Sequence, residues 1–408
     1  MNAADQLRPS DRLPLDGVRV VDLTINVAGP FATLILGDLG ATVLKVEPPK
    51  GDDARRLAPV HGSGSAYFFG INRNKRSVAL DLREAEDRET LLAALESADV
   101  MVTNLRPGTL RDRGLDFDSL NDLYPHLIYA DLSGYGNQGA EQERPGYDMV
   151  LQARAGLMSV NGDMASPPSR VGVSILDMGT GLWLALGVLA ALRLRDLTGR
   201  GDRVSTSLLE VGASFMTYDF AAFQLTGELP QRRGSEHPAF APYGAYRTLD
   251  GYVALGIGAD RLFERLALAL DRGAWVTDAR FASNEARVAN RAELRVLLER
   301  EFEQRTTSDV IEVLNKAEVP ADVVADVDQV LVDPQLAELD AWVDVPIPQG
   351  AGSDKRQLRV PGSPLRFGQR RPPVREGPPE LGSGSQALYD EIRTRRDAGG
   401  ERNSVGVR

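Results

Sequence analysis

The sequence predicts an α/β fold in which a doubly wound parallel sheet is followed by a smaller α+β domain. Short β-branched runs alternate with helical patterns over roughly the first 214 residues. A strand–turn–strand pattern around Asp250-Gly251 then opens a different arrangement. The length, 408 residues, exceeds one core and suits two domains.

The elements follow in order. Residues 1–13 read as a flexible arm, and VRVVDL (18–23) is a buried strand bounded by Gly17. After the turn NVAGP (26–30), Pro30 suits a first helical turn and the helix continues to Gly40. TVLKVE (42–47) completes a βαβ unit with its right-handed crossover. SVALDL (77–82), VMVTNL (100–105) and LIYADL (127–132) are further strands, with an amphipathic helix over 84–97. Ligands of such sheets sit beyond the carboxyl ends of the strands, here the loops at 26–30, 48–56, 104–108 and 133–139. TGRGDRVSTSLLE (198–210) reads as turn, strand and helix onset, and 215–242 as a Gly/Pro/Arg-rich linker. The small domain spans 243–335, with a hairpin over 243–258 and helices over 262–272 and 287–316. Residues 336–395 form a Pro-rich return and the closing part of the large domain, with a helix over 385–395; 396–408 reads as a disordered tail.

Composition narrows the function. The formal net charge of −11 argues against nucleic acid and anionic membrane surfaces as partners. There is no cysteine, so thiolate chemistry and Cys-ligated metals are excluded and a cytoplasmic setting fits. His61, His126 and His237 have no i, i+4 spacing, so no metal site is expected. The first residues lack the apolar core of a secretory signal. The most apolar run, 175–192, contains Asp177 and reads as a core helix rather than a membrane span.

Asp177 draws the most attention. It sits at or just before the start of a helix that is apolar nearly all round and therefore reads as buried. An N-cap accounts for a carboxylate there. A nucleophile accounts for it too, since Gly179 and Gly181 would admit a ligand and helix N–H groups could steady an oxyanion. Arg55, Arg56, Arg73, Lys75, Arg76, Arg83, Arg106, Arg111 and Arg113 cluster in one third of an acidic chain. They form a solvated basic face or a site for a phosphate-bearing ligand. Asp148 reads as the cap of its own helix and Tyr147 as a core residue. Gly29 stands alone without a G-x-G-x-x-G fingerprint, and Glu47 is a poor ribose-binding acid, so a nicotinamide enzyme is disfavoured.

Taken together, PLDGVRVVDLT (14–24), AGPFATLILGDLGATVLKVEPPKGDDAR (28–55), NRNKRSVALDL (72–82), NLRPG (104–108), SGYGNQG (133–139), PGYD (145–148) and VGVSILDMGTGLWLALGVLAAL (171–192) resemble the family III CoA-transferases. The hairpin APYGAYRTLDGYVALG (241–256) is similar to the dicarboxylate-using branch. The resemblance implies a Rossmann-like large domain made from both chain ends, a small domain, and an interlocked-ring homodimer. It implies a nucleophile at Asp177, with a CoA thioester as substrate and no permanently bound cofactor. CoA contacts carry over to Val27, Ala28, Pro48, Leu80, Arg83, Asn104, Leu105, Arg106, Arg113 and Tyr147, and acceptor contacts to Tyr147, His237 and Tyr243. Val27 stands where formyl-CoA transferase has glutamine and Pro48 where it has a phosphate-contacting arginine, which weighs against oxalate as acceptor. The expected reaction moves CoA from a succinyl-CoA-like donor to a small dicarboxylic acid. The alternative is a 2-methylacyl-CoA racemase, which needs two acid/base groups; a tyrosine at position 147 is a poor base.

Overall fold

The computed structural model describes residues 12–348 and 356–404, with side chains described through residue 395. It divides into two compact units. The first holds the residues up to Ala155, Gly172–Thr217, and those from Leu336 onward; the second holds Gly156–Val171 and Tyr218–Gln335.

Six parallel strands organise the first unit: β1 (Arg19–Leu23), β2 (Thr42–Glu47), β3 (Lys75–Ala79), β4 (Val100–Thr103), β5 (Ile128–Ser133) and β6 (Arg203–Ser207). Their order is β3-β2-β1-β4-β5-β6, with Val21 of β1 opposite Leu44 of β2 and Met101 of β4. This is the doubly wound order, and the winding reverses between β1 and β4. Helices cover the sheet, which is why β4 is buried at every position. On one face Val78, Leu80, Leu91, Leu95 and Met101 pack together with Leu388 of the C-terminal helix.

Charges lie inside this sheet as well. Lys45, Lys75 and Asp22 are fully buried, and each is paired, as a buried charge must be. Lys75 Nζ donates to Asp22 Oδ2 (3.2 Å), Pro30 O (2.9 Å), Thr33 Oγ1 (2.8 Å) and Asn72 Oδ1 (2.9 Å). It thereby ties β3 to the start of the helix Ala28–Asp38. Burial draws the Lys75 ammonium down to about 8 against the opposing pull of Asp22.

The return leg of the chain covers the outer edge of β3. Gly384 N–H donates to Ser77 O (2.7 Å), Gly382 N–H to Ser77 Oγ (3.1 Å) and Asn74 N–H to Glu376 O (2.9 Å). Arg375 reaches the carbonyls of Gly40 (3.1 Å) and Ala41 (2.9 Å).

In the second unit the strands Tyr243–Arg247 and Tyr252–Gly256 form the expected hairpin, with Val253 opposite Tyr246. A third strand, Ala321–Val323, extends it on the far side. The core combines Tyr246, Val253, Leu255, Phe263, Leu266, Phe281, Leu298 and Phe302.

Several expectations need correction. β3 starts at Lys75, two residues before the expected strand. The helix expected over 287–316 is three helices, Asn284–Ala289, Arg291–Phe302 and Thr307–Lys316. Thr306 and Asp309 form a reciprocal capping box that starts the last of them afresh. Within 215–242, Thr217–Thr226 is helical. The Pro-rich return contains an antiparallel pair, Trp342–Pro346 with Gln357–Pro361. The final helix, Ser385–Ser404, runs on through part of the expected tail; 405–408, and 1–11 of the expected arm, lie outside the described residues.

Candidate active site

Asp177 lies in the first turn of the helix Ile175–Thr198, whose N-cap position is Ser174. Asp177 is therefore not the cap, and the Ser174 side chain makes no cap bond either. Asp148 caps this helix from a distance: its Oδ2 accepts the N–H of Leu176 (2.8 Å) and of Asp177 (3.2 Å). Asp148 is buried at the first position of the helix Asp148–Arg154, behind Tyr147, and its Oδ1 accepts from Gln152 Nε2. It satisfies donors that the Asp177 helix leaves unpaired rather than capping its own helix.

The Asp177 carboxyl is half-buried and accepts no hydrogen bond among the described residues. Burial, and then the negative charge of Asp148, push it up to about 7. An unpaired carboxyl poised near neutrality is a candidate nucleophile.

The neighbouring glycines serve packing, not a ligand. A Cβ on Gly179 would meet Phe215 Cζ at 2.6 Å, and one on Gly181 would meet Ala28 O at 2.7 Å and Ala32 N at 3.1 Å. Gly181 lies one turn beyond Asp177 on the same helix face. Its close approach sets the start of the helix Ala28–Asp38, with Val27 at the cap position, beneath that face. The Asp177 helix is buried on this side only. Leu182, Trp183, Leu186, Leu194 and Leu197 are exposed on another side, which corrects the expectation of burial all round. By length and composition alone the helix could cross a membrane.

A cavity of about 300 Å³ opens at the carboxyl ends of β1, β2 and β4, beside the point where the winding reverses. Its apolar wall includes Leu23, Ile25, Val46, Leu80, Leu82 and Leu105; Pro48, Asp53, Arg83 and Arg113 also line it. Of the expected CoA contacts, Pro48, Leu80, Arg83, Leu105 and Arg113 are thus brought together. Asn104 stands behind the wall: its amide accepts from Ile25 N–H (2.9 Å) and donates to Ile25 O (2.8 Å). Val27 and Ala28 follow Ile25 toward the Asp177 helix rather than lining the cavity. Arg106 is exposed and does not line the cavity, although its neighbour Leu105 does. The sequence reading missed Leu23, Ile25, Val46 and Leu82, because apolar residues at strand ends look the same whether they face a core or a ligand.

The basic cluster separates into two groups. Arg55 is buried in a two-pronged pair with Glu47 (2.7 and 2.7 Å), and Arg73 likewise with Asp38 (3.0 and 2.6 Å). With Lys75 they belong to the interior and meet no phosphate. Glu47 is equally occupied by Arg55, Ser77 Oγ and Asp52 N–H, which removes it as a ribose-binding acid. Arg83 is exposed and grips Asp81 (2.8 and 2.6 Å), and Arg113 donates to Thr109 O (2.7 Å).

Tyr147 is 71% exposed, not a core residue. In the second unit His237 stacks on Phe240 with ring centroids 4.8 Å apart, and Tyr243 lies 5.3 Å away. Nearby in sequence, Arg232 has a buried Nη1 with no hydrogen-bond partner among the described residues. Arg170 donates to its neighbour's carbonyl, Val171 O (3.1 Å).

Comparison with known proteins identifies this arrangement. A family model described as CoA-transferase family III matches residues 15–385. The acetyl-CoA:oxalate CoA-transferase of Acetobacter aceti is 34% identical over 93% of this chain and 96% of its own length. The human succinyl-CoA:glutarate CoA-transferase is 33% identical over 97% of this chain and 90% of its own. A crystal structure of a CAIB/BAIF family protein from Brucella suis superposes with a TM-score of 0.84 at 35% identity, over 93% of this chain and all of that one. With its parallel sheet, its cavity and its unpaired aspartate, the chain belongs to CoA-transferase family III and is a CoA-transferase.

Proposed function

We propose that this enzyme moves CoA from a succinyl-CoA-like thioester to a small dicarboxylic acid through covalent intermediates on Asp177. The observation that carries the reading is the half-buried Asp177 carboxyl, without a partner and pushed up to about 7. An Asp177 oxygen attacks the thioester carbonyl; the C–O bond forms, the C–S bond breaks and CoA thiolate leaves an aspartyl–acyl anhydride. The thiolate attacks the Asp177 carbonyl, releasing the donor acid and leaving an aspartyl-CoA thioester. The acceptor carboxylate displaces the thiolate to form a second anhydride. Thiolate attack on the acceptor carbonyl then gives the new thioester and frees Asp177. Each exchange is split into easier steps by the covalent carrier.

CoA binds in the cavity at the sheet's carboxyl end, its adenine against Leu23, Leu80 and Leu105 and its phosphates toward Arg83, Arg106 and Arg113. Arg83→Ala and Arg106→Ala then raise KM for acyl-CoA by about 1–3 kcal/mol each and leave KM for the acid unchanged; equal effects on both substrates contradict this. A dicarboxylate acceptor is supported by the oxalate and glutarate in the relatives' names. His237 and Tyr243, the acceptor contacts that the resemblance implies, lie together in the second unit. The working form is a homodimer.

The decisive experiment incubates the enzyme with an acyl-CoA, traps with hydroxylamine or borohydride, and maps the modified residue by mass spectrometry. Asp177 alone is modified, and Asp177→Ala loses exchange while keeping CoA binding. Turnover by Asp177→Ala overturns the mechanism. Running the same assay over a panel of acids ranks dicarboxylates first; faster use of monocarboxylates overturns the acceptor class.

A further inference from the structure

Most carboxylates in the first turn of a helix are stabilised there, because the free N–H groups and the macrodipole favour the charged form. Such a carboxylate is a poor nucleophile. At Asp177 these donors are already engaged by Asp148, 28 residues earlier in the chain for Leu176 and 29 for Asp177. Asp148 is 7% exposed and its second oxygen is fixed by the fully buried Gln152.

We propose that Asp148 is a positioning residue for the nucleophile: its carboxylate takes the N–H groups at the mouth of the Asp177 helix and holds a negative charge beside the Asp177 carboxyl, keeping that carboxyl basic. The inference rests on Asp177 being the nucleophile, as proposed above.

The surroundings agree. Three helices pack closely here, Asp148's helix through its far end: a Cβ on Gly212 would lie 2.5 Å from Ala155 Cβ and 3.3 Å from Leu176 Cδ1. Asp148 itself is held by its burial and by its bonds to the Leu176 and Asp177 N–H groups and to Gln152. Asp148 also sits in the first turn of its own helix, where negative charge is favoured. The other charged groups on the elements packed against the Asp177 helix are engaged elsewhere. Glu210 accepts from Ser207 Oγ (2.6 Å), Arg154 reaches out to Glu141 (3.4 Å), and Asp38 at the far end of its helix is held by Arg73. Asp148 is the charged group whose field raises Asp177. The arrangement resembles a carboxylate dyad in which one member works and the other sets its basicity.

Asp148→Asn separates charge from shape. Its Oδ1 still accepts the two N–H groups, and Gln152 can turn its amide to match, but the negative charge is gone. The expected result is an acid limb of kcat/KM shifted down by about one pH unit. The plateau above pH 8 falls about threefold, because a less basic carboxylate attacks more slowly. The profiles of wild type and variant therefore cross, which a merely structural defect would not produce. The aspartyl adduct still forms on Asp177 in the variant. Asp148→Ser, uncharged and able to accept one N–H, gives the same downward shift and serves should the asparagine variant not fold. An acid limb unmoved in the folded variant, with rates scaled equally at every pH, overturns the proposal. Absence of an Asp177 adduct in the wild type overturns the nucleophile assignment instead.

Discussion

A carboxyl held near pH 7 makes the folded state less stable wherever it must be charged, and this cost can be measured. Unfolded, Asp177 titrates near 3.8; folded, it holds its proton to about 7. Between these values the native state binds the extra proton, so stability falls as pH rises through that window. Asp177→Asn removes the titration without changing shape. Wild type and variant should have equal unfolding free energies at pH 4 and diverge above it. By pH 8 the variant should be more stable by roughly 4 kcal/mol in urea titrations at fixed protein concentration. Parallel curves at all pH values would show that Asp177 titrates normally. Asp177 was legible in the sequence because a carboxylate between an apolar run and two glycines is unusual. Its environment was not: Asp148 caps a helix 28 residues downstream, and local cap rules assign such a residue to the nearest helix. The glycines were noticed for the wrong reason, since Phe215 and Ala28 fill the space they leave.

The helix that carries Asp177 shows where hydrophobic periodicity stops being informative. An apolar run without a polar face predicts burial all round, yet Leu182, Trp183, Leu186, Leu194 and Leu197 are exposed in the single chain. Apolar surface of this extent on one element marks a contact with another molecule. A second copy of the chain is the proposed occupant. In sedimentation velocity the wild type should then run as a dimer and Leu186→Asp as monomer or aggregate, whereas the same change at the exposed Leu249 should leave the dimer intact. A wild-type monomer would refute the homodimer. Periodicity also joined three helices into one over 287–316, because Asn290 and the Thr306 capping box interrupt the chain without interrupting its apolar rhythm.

At the scale of the whole molecule, the parallel sheet and the hairpin were readable because each is written in consecutive residues. The remainder depends on distant pairing. In sequence Arg55, Arg73 and Lys75 fit a solvated basic face or a phosphate site equally; in the fold they are buried against Glu47, Asp38 and Asp22. The proline-rich stretch of the return leg before the last helix carried no strand pattern, although it supplies the bonds along the outer edge of β3. That edge cover has a consequence during synthesis. The chain leaves the first unit and re-enters it twice, at Gly172 and at Leu336, so all six strands leave the ribosome long before residues 376–384 do. Throughout that interval β3 presents unpaired backbone groups, a template for strand addition by other chains. A chain ending at residue 371 should reproduce this state permanently. It should partition to the insoluble fraction and be cut by protease near β3, while a chain ending at residue 395 remains soluble; equal solubility of the two would remove edge protection as the role of the return leg. The newborn enzyme is, on this account, a client for whatever holds open sheet edges apart until translation ends.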